Sequence, residues 1–167
     1  MSIVNIRKLK ALLNSRSTGI LFCIGSSLVS RLIQAKTREY DDEIVPSHVA
    51  IIYKGFVYES QSNSTDIGDK TVPSGVRRFL LKDFLKSEKG KRTQYEFYPI
   101  SPIDEELLEK YVHLPYGIDS IVDFLLRDKS DGKSKGLICS QYANNVLQIL
   151  PDEPCPSPAQ LFRIFNK

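Results

Sequence analysis

Cys139, His48 and Glu59 are the residues whose types and settings could do chemistry together. Cys139 follows a glycine and a short apolar stretch in GLICSQYANNVLQIL, where a helical pattern begins. On the first turn of a helix, free backbone N–H groups and the positive end of the dipole stabilise a thiolate. That is a place for a nucleophile. His48 opens a predicted strand, HVAIIY, and Glu59 lies on the next one. In a triad of these types the cysteine attacks, the histidine moves the proton and the carboxylate orients the ring. The backbone N–H of Cys139 would be an oxyanion donor, and no second donor is identifiable. Each residue also has an ordinary structural use. A cysteine on a helix is commonly a small core residue. A strand-start histidine is commonly hydrogen-bonded structure, and a strand glutamate commonly faces solvent.

The elements must bring the three together. Lys54-Gly55 separates two apolar runs and predicts a two-residue hairpin turn, with Gly55 at positive φ. Tyr53 then pairs with Phe56, Ile52 with Val57, Ala50 with Glu59 and His48 with Gln61. Residues two apart share a sheet face. His48, Ala50, Glu59 and Gln61 are therefore expected on one face. His48 and Glu59 are diagonal neighbours about 7 Å apart at the β-carbons, a gap that their side chains can bridge. Gln61 lies directly across from His48 and competes with Glu59 as its partner. A one-residue slip in the turn would carry Glu59 to the opposite face.

Composition narrows the classes. With 167 residues, 41% apolar and 26% charged, the chain suits one folded domain with a real core. A net charge of +3 is a weak reason to expect nucleic acid, and no basic–aromatic motif supports one. Basic residues cluster at Arg7, Lys8 and Lys10, and at Lys86, Lys89, Lys91 and Arg92; both groups read as solvated surface. Three cysteines, Cys23, Cys139 and Cys155, have no regular spacing, and only two histidines exist. Neither a disulfide framework nor a metal site is expected, and no cofactor. No apolar run is long enough for a transmembrane helix. A cytoplasmic protein is expected, with secretion left open.

Along the chain, residues 1–17 read as an N-terminal amphipathic helix belonging to the same unit as residues 18–167. Strands are expected at 19–24, 48–53, 56–60 and 93–100, with a short one at 75–77. Helices are expected at 28–35, 81–86, 118–126 and 139–150. Another should run from Ser101, as N-cap, to about His113. Residues 61–74 read as a long polar loop bordering a cleft. The tail is proline-rich and extended, closing in one turn at 160–165. The fold class is α+β, an antiparallel sheet packed against helices that include the cysteine helix. Tyr116 and Tyr142, with Gln61, are candidates to line a substrate cleft, and core packing is the commoner use for at least one of the two tyrosines. His113 reads as a favourable charge at a helix C-terminus.

Several short motifs, in order, resemble the circularly permuted NlpC-type papain-like cysteine hydrolases, in particular the YiiX-like group. They are Gly19-Ile20-Leu21-Phe22 with Gly25-Ser26, Pro46-Ser47-His48-Val49-Ala50-Ile51, and Val57-Tyr58-Glu59-Ser60. Gly75-Val76-Arg77, Leu114-Pro115-Tyr116-Gly117, Leu137-Ile138-Cys139-Ser140-Gln141 and Pro158-Ala159-Gln160-Leu161 follow. The resemblance covers most of the chain beyond residue 17. It implies a permuted papain-like domain in which the histidine strand precedes the cysteine helix. It further implies Cys139 as nucleophile, His48 as base and Glu59 as orienting carboxylate, working through an acyl-enzyme on an amide, ester or thioester. The expected activity is that of an amidase or peptidase on a peptide, cell-wall or lipid-amide substrate. Lipid ester hydrolysis or acyl transfer on the same site, and a silent binding module, are the alternatives.

Overall fold

A computed structural model describes residues 17–67, 69–87, 94–119, 122 and 135–166. The predicted N-terminal helix, most of the predicted helix at 118–126 and the basic residues from Lys89 to Arg92 lie outside them. Strands β1 (Gly19–Ile24), β2 (His48–Tyr53), β3 (Phe56–Gln61), β6 (Gly75–Leu80) and β7 (Gln94–Pro99) form one antiparallel sheet in the order β6-β3-β2-β1-β7. Strands β4 (Thr65–Ile67) and β5 (Lys70–Val72) form a separate hairpin. Among the described residues the helices are α1 (Leu28–Thr37), α2 (Leu81–Lys86), α3 (Glu105–Lys110), α4 (Cys139–Leu147) and α5 (Pro158–Phe165). The fold is α+β, an antiparallel sheet packed against helices.

Both sheet faces are apolar, so the sheet is covered on both sides. Ile20, Phe22, Val49, Ile51, Tyr58 and Val76 turn to one face and meet Leu108 of α3, Tyr142 and Val146 of α4, and Leu161 and Phe162 of α5. Leu21, Cys23, Ala50, Ile52, Val57, Phe79 and Tyr95 turn to the other and meet Leu81, Phe84 and Leu85 of α2 and Ile67 of the small hairpin. Each such side chain, fully buried, contributes about 1.5–3 kcal/mol. The alternation that fills both cores also fixes the register.

The turn is the predicted one. Lys54 and Gly55 both have positive φ, and pairing runs Tyr53–Phe56, Ile52–Val57 and Ile51–Tyr58. Other expectations need correction. Residues 61–74 are not simply a loop, because β4 and β5 pair within them. The strand expected at 75–77 continues to Leu80, paired along its whole length with β3. Asp104, not Ser101, caps α3: its carboxylate accepts from the N–H groups of Glu106 and Leu107. That helix stops at Lys110, and His113 is an exposed residue beyond it with φ 77°. Helix α4 ends earlier than expected, where Gln148 turns left-handed. The closing turn is an eight-residue helix beginning at Pro158, capped by reciprocal bonds between Ser157 and Gln160.

Candidate active site

His48 is the first residue of β2, so its ring sits at the margin of the sheet. There it meets the start of α4, which packs on the other sheet face. Several contacts place that helix start. Ser60 of β3 donates its hydroxyl to the carbonyl of Leu137. Leu137 donates to the carbonyl of Pro115 at 3.1 Å and bridges to Tyr116. Gly136 lies so close to this segment that a β-carbon would fall 2.4 Å from the Pro115 oxygen. The Gln141 side chain accepts from the Ile138 N–H at 3.0 Å, satisfying one of the unpaired donors of the first turn.

Cys139 and His48 lie close enough to interact, and the Val49 backbone is beside the sulfur. His48 Nε2 is 2.6 Å from Glu59 Oε2. That leaves Nδ1 as the ring nitrogen for the cysteine. All three groups are withdrawn from solvent. Cys139 is 6% exposed, Glu59 1%, and the His48 side chain 15%. Burial alone would push the Cys139 thiol up, and the Glu59 charge acts in the same direction. The charge of His48, its hydrogen bond and the Val49 N–H outweigh both and hold the thiol below its ordinary value. Burial alone would push His48 down. The charges of Cys139 and Glu59, with hydrogen bonds to both, instead raise it to about 9. Both shifts run in the direction that favours a thiolate–imidazolium pair.

Glu59, not Gln61, is the partner of the ring. Its other oxygen, Oε1, accepts from Arg77 Nη2 at 2.7 Å and Nε at 3.1 Å. Arg77 lies opposite Glu59 on β6 and is 3% exposed. Its remaining N–H groups go to the carbonyls of Asn63, Val72 and Pro73 and to Thr65 Oγ1, at 3.0–3.2 Å. One guanidinium therefore joins the Glu59 carboxylate to the β4–β5 hairpin.

A cavity of about 600 Å³ opens on Cys139 and His48. Gln61 and Tyr116 line it, as expected. Burial, then the charges of Cys139 and Cys155, raise the Tyr116 phenol above its ordinary value. Tyr142 is not a cleft residue. It is fully buried in the core, donates to the Leu108 carbonyl at 3.2 Å, and stands edge-on to Tyr111. Its position on α4 puts it on the stripe that faces the sheet, where packing overrides any role at the surface. Three further contributors carry no assigned role in the sequence. Arg77 stands in the Gly75-Val76-Arg77 motif, but its pairing with Glu59 has no sequence signal. Cys23 pairs with His48 across β1 and β2, and so lines the cavity. The start of α1 supplies Ser26, Leu28, Val29 and Ser30; a helix start in sequence does not say which way it faces.

Among the described residues no cluster of histidine, cysteine or acidic side chains could hold a metal ion. None of the described helices is long and apolar enough to cross a membrane. Comparison with known proteins gives no match to a protein-family model or to a curated sequence.

Proposed function

We propose that this protein is a thiol hydrolase, an amidase or peptidase, working through Cys139, His48 and Glu59 on a permuted papain-like fold. The observation that carries the reading is the 2.6 Å bond from His48 to Glu59, with the Cys139 thiol facing the same ring in one cavity. The chain order also fits, since the histidine strand precedes the cysteine helix. In the proposed reaction the Cys139 thiolate attacks a carbonyl carbon and the carbonyl electron pair moves to oxygen. The N–H of Cys139, at the first helical position, has no partner within its helix and faces that oxyanion. The His48 imidazolium gives its proton to the leaving group as the carbonyl re-forms. Water, deprotonated by His48, then releases the acyl group and regenerates the thiol pair. Glu59 keeps Nδ1 aimed at the sulfur and stabilises the imidazolium.

Intact-mass labelling with iodoacetamide across pH tests this. Cys139 should label quickly well below pH 8, and His48→Ala should lose that reactivity. Labelling with the pH dependence of an ordinary thiol would overturn the proposal and leave a silent binding module.

One observation favours a second reading, ester cleavage or acyl transfer on a lipid-like substrate. Among the described residues that line the cavity, the only ionic side chains are those of the triad itself. Leu28, Val29, Ile33 and Phe84 line it too, and Leu28 and Val29 are exposed. A panel of lipid esters, lipid amides, peptides and peptidoglycan fragments separates the two. Turnover of the lipid esters alone would favour the second.

A further inference from the structure

Four ionic groups are buried in series at this site, and their charges cancel. Arg77 is a permanent cation, Glu59 an anion, His48 a cation when protonated, and Cys139 an anion when ionised. Two contacts are direct hydrogen bonds, guanidinium to Oε1 and Oε2 to the ring, and the sulfur faces the ring in the same cavity. Buried charge is costly unless it is paired and hydrogen-bonded. The other described titratable groups facing the site are Cys23 of β1, Tyr95 of β7, Tyr116 and, behind Tyr116, Cys155. None of them is a permanent charge. Asp66 of the small hairpin is exposed and accepts from Thr71.

We infer that Arg77 is the positioning residue that makes the reactive thiolate possible, by supplying the one permanent cation among the described residues that balances the buried triad. This rests on the Cys139–His48 pairing proposed above. Without Arg77 the ionised triad carries a net negative charge in a site withdrawn from water. The site relieves that charge by taking up a proton, and the thiolate is the group that pairs least well with what remains. Glu59 keeps the imidazolium, whereas Cys139 must share it. Arg77 also fixes which carboxylate oxygen faces His48, because both of its bonds to Glu59 go to Oε1. The same guanidinium holds the carbonyl of Asn63, a residue that lines the cavity. The hairpin and the proton chemistry thus share one anchor.

The experiment is the pH profile of Cys139 alkylation by iodoacetamide, read by intact mass, in wild type and three variants. Folding of each is checked by circular dichroism. Arg77→Met should move the midpoint for labelling up by about one pH unit or more, so that labelling at pH 6 slows about tenfold. Arg77→Lys keeps the charge and should stay near wild type in midpoint. The double variant Arg77→Met with Glu59→Gln removes one cation and one anion. It restores neutrality and should return the midpoint toward the wild-type value, an outcome that a merely structural role does not give. If Arg77→Met does not fold, the double variant decides, and an ordinary thiol midpoint there overturns the inference. An unmoved midpoint in folded Arg77→Met, or a double variant no lower than Arg77→Met, overturns it as well. Ordinary thiol reactivity in wild type itself would instead remove the proposed function on which it rests.

Discussion

At the scale of the residue, the pairing of Cys139 with His48 sets a pH window with two edges of different kinds. The lower edge is the depressed ionisation of the Cys139 thiol. Below it the thiolate is protonated, and both alkylation and turnover fall. The upper edge is the loss of the His48 proton at about 9. Above it the thiolate persists but the leaving group has no proton donor. Alkylation should therefore rise to a plateau and hold through pH 9, whereas substrate turnover should fall there. Parallel profiles of labelling and of amide hydrolysis check this, and a turnover that continues to climb above pH 9 would contradict it. A second prediction concerns Glu59. Glu59→Ala leaves His48 and Arg77 facing a gap at a buried position. Breaking a buried pair by removing one partner costs about 3–5 kcal/mol, so the urea midpoint should drop by the equivalent. A loss of less than about 1 kcal/mol would mean that water or other groups replace the carboxylate.

At the scale of the element, what the sequence shows and what it hides divide along contact distance. The β2–β3 turn is legible because Lys54-Gly55 stands between two alternating apolar runs, and the chemistry of two residues decides the pairing. The His48–Glu59 contact follows from that register, since period two leaves no freedom about which face a side chain takes. The Cys139 helix is legible for a similar reason, from the glycine before it and the apolar spacing after it. Arg77 is hidden because its partners lie on a neighbouring strand and on a hairpin with no strong pattern of its own. Three-residue strands such as β4 and β5 carry too few alternations to be read. Their position depends on a guanidinium that binds the carbonyls of Asn63, Val72 and Pro73. Which of Tyr116 and Tyr142 belongs to the core is hidden, because a helix pattern does not say which stripe faces the sheet. Removing the Tyr142 hydroxyl tests the corrected assignment. Tyr142→Phe loses only the bond to the Leu108 carbonyl, and should cost about 1 kcal/mol of stability. Substrate affinity should not change, because Tyr142 lies in the core. A raised KM at unchanged stability would return it to the cleft.

At the scale of the whole molecule, the cavity gathers pieces from across the chain. The starts of α1 and α4, the open ends of β2 and β3, the Tyr116 segment and the Ser157–Pro158 cap of α5 all border it. Distant ties hold those pieces in place. Arg163 of α5 reaches Glu39 and Asp42 beyond the end of α1, and its hydrogen bond to Asp42 leads the causes that hold that carboxyl below its ordinary range. Seven serines, an asparagine and a glutamine line the cavity with the apolar groups, but no permanent charge does so outside the triad, among the described residues. Such a cavity has hydrogen-bonding groups for a neutral polar substrate and apolar wall for its hydrocarbon. It has no partner to offer a charged acyl group. Desolvating a carboxylate without a partner costs several kcal/mol, and about 1.4 kcal/mol is already tenfold in rate. The His48 imidazolium cannot serve as that partner, because Glu59 and Cys139 already share its charge. The p-nitrophenyl ester of butanoic acid should therefore be hydrolysed with a kcat/KM at least about tenfold above that of the p-nitrophenyl hemiester of succinic acid. The two acyl chains have equal length, so the comparison isolates charge. Equal values would show that the acyl group does not enter this cavity, and a preference for the succinyl ester would mean that a cation outside the described lining faces it.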